Sequence, residues 1–136
     1  MISYESLMAQ EARKIAESVL QVAKNMNIPV AVTVLDTRGI RLVSLMQDGA
    51  LPIAPELSEA KAKTAFKMNM ATIELQKEGV NVADFGVGYS SFGGGVPIEE
   101  PPLGRNVGFV GVSGAETGQE DHEIAIEGIK AAAIFD

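Results

Sequence analysis

The chain has 136 residues, 46% of them hydrophobic, with a formal net charge of −7, no cysteine and one histidine. This length suits one domain with one core, and the negative charge opposes any partner that presents a phosphate backbone, so nucleic-acid binding is set aside. The lack of cysteine removes disulfides and cysteine-ligated zinc or iron–sulfur centres.

No apolar run approaches the ~20 residues needed to cross a bilayer. The first residues also lack a basic region followed by an apolar block and a cleavage site. The expectation is a soluble, cytoplasmic protein with no membrane partner. With five Phe, two Tyr and no Trp, its core must be aliphatic.

Met8, Ala12, Ile15, Ala16, Val19, Val22, Ala23 and Met26 recur at three- and four-residue steps. This spacing predicts a helix over about residues 3–25, with Ser3 as N-cap and Asn25, Asn27 and Pro29 marking its end. The β-branched run Val30-Ala31-Val32-Thr33-Val34-Leu35 is too short for a helix and reads as a central strand. A turn over residues 36–39, with Gly39 suited to a positive φ, leads to a second strand over residues 40–46 and completes a hairpin.

Residues 47–55 form a connector containing Gly49, Pro52 and Pro55. From Glu56 the composition turns alanine- and lysine-rich, predicting a helix that stops near Gly79. Leu57, Ala60, Thr64, Ala65, Met68 and Ala71 face inward in this reading. Lys61, Lys63 and Lys67 mostly ring the exposed side, and Asn69 is suited to cap a break.

Residues 80–95 read as a long glycine-rich loop, a length commonly functional or mobile. A short strand over 96–98, a proline-containing turn over 99–106 and a strand over 107–112 follow. Thr117 and Glu120 have capping-box spacing before a last helix that runs to about Ala133. Ile124, Ala125, Gly128, Ile129 and Ala132 share one face of it, with Gly128 allowing close approach to a sheet. This order of elements predicts an α+β fold with an antiparallel sheet.

Several ordered motifs carry a family resemblance: Val32-Thr33-Val34-Leu35-Asp36 with Gly39, Lys61-Ala62-Lys63-Thr64-Ala65, residues 93–98, residues 110–114, and Glu120-Asp121. Over essentially its whole length the chain resembles the GlcG/HbpS family. That family includes proteins linked to glycolate utilisation, extracellular haem-binding proteins, and the C-terminal domain of some corrinoid adenosyltransferases. The resemblance implies a profilin-like α+β fold over residues 1–136, with about five antiparallel strands and flanking helices. It also implies a homo-oligomer that binds a small molecule such as haem or another tetrapyrrole. Family membership fixes fold better than function.

Haem iron takes His, Met, Cys or Tyr as axial donors, and His122 is the only histidine. It falls in the first turn of the last helix between Asp121 and Glu123, where a plain solvent-facing role is the competing reading. Family members often carry a histidine ahead of the Lys61 helix, whereas this chain has Glu56-Leu57-Ser58 there. Lys63 and Thr64 are candidates to hold a ligand carboxylate, although lysines at helical spacing also describe a solvated face.

Gly93, Gly94 and Gly95 permit either close ligand approach or a bulge. Ser113 precedes a helix N-terminus, a natural anion site, but Glu120 and Asp121 there complement the helix dipole and repel a phosphate. They remain open as a paired acid site. A triad of Ser113, His122 and a carboxylate lacks a nucleophile elbow. Tyr89 and Phe92 line a pocket or anchor the loop.

The resemblance implies a ligand pocket between the helix carrying Lys61, Lys63 and Thr64 and the segment 93–98, completed by a neighbouring subunit. Three functions follow. The first is an accessory protein binding a small ligand. The second is a small lyase, isomerase or hydrolase using Lys63 as anion anchor and Glu120 or Asp121 as acid/base. The third is a non-catalytic oligomeric subunit that binds a partner.

Overall fold

A computed structural model describes residues 6–135. The chain runs α1 (Ala9–Asn25), β1 (Ala31–Asp36), β2 (Arg41–Met46), α2 (Ala54–Met68), α3 (Thr72–Glu78), a 3₁₀ turn (Val82–Phe85), β3 (Gly95–Glu100), β4 (Arg105–Ser113) and α4 (Gly118–Ala132). The strands form one antiparallel sheet in the order β2-β1-β4-β3. Four strands are present among the described residues, one fewer than expected.

The β-branched run is a central strand buried on both faces, which is why it lacks a polar alternation. Val30, Val32 and Val34 join Val96, Ile98, Val110 and Val112 under α1 and α4. Leu35 and Phe109 face α2, where they meet Ala62, Ala65 and Phe66. Thr33, also on the α2 side, exchanges hydrogen bonds with Ser44 and Ser58, so its buried hydroxyl is satisfied.

Three expectations are corrected here, and the break that Asn69 is suited to cap is present. The first helix starts at Ala9, with Met8 as its N-cap, because Leu7 donates its amide to the Val107 carbonyl of β4 at 2.8 Å and Ser6 accepts the Thr37 amide at 3.1 Å. Ser3 lies outside the described residues. The helix predicted to reach Gly79 divides at Asn69, whose φ of 53° and ψ of 45° end α2 in the left-handed region, as its capping propensity allows.

Gly128 faces α1, not the sheet. A Cβ there would stand 2.8 Å from Val19 Cα, and Ser18 donates its hydroxyl to the Gly128 carbonyl at 2.7 Å. Lastly, Lys61 is 3% exposed and points inward, because α2 lies flat across the sheet and the Asp121 carboxylate receives its ammonium.

Candidate ligand groove at the sheet edge

β3 is an edge strand, and its outward backbone groups are the first concern of any site there. Val112 donates to the Gly94 carbonyl at 2.9 Å, and Gly95 stands opposite Gly111. Antiparallel pairing alternates, so Gly94 and Val96 turn their backbone groups to β4 while Gly95 and Pro97 turn theirs outward. Thr72 receives the Gly95 amide at 2.9 Å, and Pro97 has no amide to offer. The edge is thus closed against another strand while leaving apolar side chains beside it.

A groove of about 380 Å³ runs over this edge between the α2–α3 turn and α4. Asn69, Met70 and Ala71 line one wall, Val96, Pro97 and the Glu99 carboxylate lie along β3 at the floor, and His122, Ile126, Ile129 and Lys130 line the other wall. A second cleft of about 350 Å³ adjoins it across His122 and Ile126. Asn106 closes one end and donates to the Asn69 side chain.

His122 is half-buried, not simply solvent-facing. Its Nδ1 is buried with no hydrogen-bond partner. Burial, and then the charge of Lys77, hold its pKa below the usual histidine value against the pull of Glu74 and Glu123. The imidazole is therefore neutral at pH 7 and retains a lone pair for a donor group or metal.

The other predicted site residues lie elsewhere. Thr64 is fully buried; its hydroxyl donates to the Ala60 carbonyl at 2.7 Å and accepts the Ser90 amide at 2.9 Å. Lys63 stands 4.6 Å from the Tyr89 ring centroid, and Phe85 meets Tyr89 edge-on, which lays the long loop over α2. Tyr89 therefore anchors the loop, whereas Phe92 is 62% exposed.

Gly93, Gly94 and Gly95 approach protein. A Cβ on Gly95 would strike the Lys61 carbonyl, and one on Gly94, whose φ is +131°, would strike the Val112 carbonyl. Gly93 donates to Gln76 at 2.7 Å, while a Cβ there would lie 2.6 Å from the Gly118 carbonyl oxygen. The space expected for a ligand between α2 and segment 93–98 is occupied by Lys61 itself.

Lys61 Nζ donates to Asp121 Oδ2 at 2.9 Å and to the Val112 carbonyl at 3.0 Å, while Asp121 Oδ1 accepts the Ala115 amide at 3.0 Å. Burial raises the Asp121 pKa, opposed by Lys61 and by amides of Ala115 and Gly114. Ser113 is buried at the end of β4 opposite Ala31. The Thr117 hydroxyl accepts the Glu120 amide at 3.1 Å and contacts the Glu120 carboxylate at 3.2 Å. Lys63, Glu120 and Asp121, which an acid/base enzyme would combine, are each engaged by a different partner.

The groove itself escaped sequence reading. Val96 and Ile98 were legible as a strand, but its edge position depends on pairing order. Met70 gave no signal beyond the break at Asn69, and Ala71 read only as an inward-facing position of the helix.

Of the side-chain types that hold haem iron, His122 and Met70 line the groove, with apolar Val96 and Pro97 at the floor and the Lys130 cation at the rim. The donor set and the apolar part of the floor suit a flat, iron-bearing macrocycle whose carboxylate groups point to Lys130 and away from Glu99.

A helix-flanked antiparallel sheet with a groove along one edge defines an α+β protein with a surface suited to a small ligand. Residues 7–130 match the family model described as haem degrading protein HbpS-like, and the chain belongs to that family. A double mutant of HbpS from Streptomyces reticuli superposes with a TM-score of 0.83 at 30% identity, covering 96% of this chain and 90% of that one. A haem complex of PduOC superposes with a TM-score of 0.83 at 27% identity, covering 96% and 97%.

Among curated proteins, the corrinoid adenosyltransferase PduO of Citrobacter freundii is 29% identical over 133 residues. That match covers 93% of this chain and 39% of PduO, so the chain spans about two fifths of that relative. No helix among the described residues is long and apolar enough to cross a membrane.

Proposed function

We propose that this protein is an accessory protein of bacterial metabolism that binds a small ligand, and that the ligand is haem or a closely related tetrapyrrole. The ligand seats in the groove along β3. The observation that carries this reading is His122, a half-buried histidine whose imidazole burial holds neutral, lining a groove whose floor carries Val96 and Pro97. The haem complex of the PduOC relative supports the ligand class.

Nδ1 is the buried ring nitrogen, which leaves Nε2 as the one to meet a ligand. Val96, Pro97, Ile126 and Ile129 would cover the macrocycle by removing its apolar surface from water. Lys130 would pair with a carboxylate side group. Bound iron would supply redox and ligand-exchange chemistry; this chain's residues bind it, orient it and limit its access to water.

A second copy would cover the open side of the groove, in keeping with a homo-oligomer. Val87 and Phe92 on the long loop, with Leu51 and Ile53 beside α2, are exposed apolar groups that such an assembly would bury.

Haemin titration of the purified protein tests the binding reading. A saturable shift of the Soret band supports it, and the His122→Ala variant should lose the low-spin spectrum. The absence of a saturable shift would remove the tetrapyrrole, and an unchanged spectrum in His122→Ala would remove the histidine as its ligand.

A further inference from the structure

The geometry points to Met70 as the second axial ligand of a haem iron held by His122, a proposal that rests on the tetrapyrrole reading above. The two residues approach the groove from different layers. α4, which carries His122, packs on the face of the sheet that bears Val96 and Ile98, whereas the turn carrying Met70 follows α2 on the opposite face. The groove passes between them over the edge strand.

A flat macrocycle entering such a slot presents one face to each wall. Its metal can then take one donor from each side, and the slot supplies a nitrogen and a thioether. His with Met is an established haem donor pair, and Met70 is the methionine that lines this groove. Tyr89 is committed to Lys63 and Phe85 outside it.

The backbone fixes where Met70 stands. Asn69 adopts the left-handed conformation that ends α2, and the Met70 amide returns to the Ala65 carbonyl at 3.2 Å. Methionine's flexible, unbranched thioether can adjust its reach from that anchored position. Met68, two residues earlier, is 37% exposed and does not line the groove, so it provides an internal control.

The test is optical and magnetic-resonance spectroscopy of the haem-loaded full chain in its ferric state. Native protein should give a low-spin spectrum with the far-red sulfur-to-iron charge-transfer band of thioether ligation. Met70→Leu, which conserves volume, should retain a saturable Soret shift but lose that band, while Met68→Leu should keep it. Haem binding without the band in native protein, or a band that survives Met70→Leu, overturns Met70 ligation and leaves the binding reading standing. No saturable Soret shift in native protein overturns both.

Discussion

Lys61 Nζ lies 2.9 Å from Asp121 Oδ2, and each of these two side chains is 4% exposed. The pair ties α2 to the start of α4 behind the glycine segment, so a lysine that reads as surface in the sequence is part of the interior. Removing one partner of a buried pair strands the other's charge. Lys61→Met should therefore cost about 3–5 kcal/mol in chemical denaturation. Lys61→Met/Asp121→Asn should recover part of that loss.

The same variant gives a pH test. Burial already raises the Asp121 pKa, and without Lys61 the carboxylate loses its main opposing charge. A folded-state pKa above the unfolded value makes the protonated form the better-tolerated one, so stability rises as pH falls towards the unfolded value. The Lys61→Met penalty should be larger at pH 8 than at pH 5, measured by urea midpoints.

Asp36 should behave in the opposite sense. Burial alone would raise its pKa, but the Arg38 side chain, the Ile40 and Arg38 amides and the Arg38 charge together bring it below the ordinary carboxylate value. Its contribution is fully present above the unfolded pKa of about 3.9 and is lost as pH falls through the lower folded value. Asp36→Asn should destabilise at neutral pH and flatten the acid limb of the stability profile.

Thr72 accepts the Gly95 amide and donates to the Phe92 carbonyl at 2.7 Å. Thr72→Val keeps the shape but leaves a buried amide unmatched, at a cost of about 1–3 kcal/mol. Hydrogen exchange should show faster exchange at Gly95 than at the amides of β1.

Gly128→Ala tests the helix contact. Alanine gains up to ~1 kcal/mol of helix propensity, but its Cβ meets Val19 backbone and must push α1 from α4. Overpacking of about 1–3 kcal/mol should exceed that gain and lower the thermal midpoint.

Much of the fold was legible because periodicity reports burial. The α1 spacing, the doubly buried β1 run and the Thr117 cap all act locally, and the structure contains each. Lys61 and Gly128 were misread because their partners, Asp121 and Val19, are distant in sequence. Helical spacing placed Lys61 on the wrong side of α2, since a lysine at such a position is ordinarily solvated. The glycine motif was legible as a place of close approach, but not that the approaching groups were Lys61 and Val112.

His122 was visible as the sole histidine, yet its buried nitrogen and its groove depend on how α3 passes the β3 edge. Occupation of this groove by a tetrapyrrole is tested by haemin titration of Ala71→Trp beside the native protein, with thermal melting to confirm the fold. Ala71 lines the wall with Met70, and an indole there would fill the slot. Native protein should give a saturable Soret shift, and a folded Ala71→Trp variant should lose it. An equal shift with equal affinity in both proteins would contradict it.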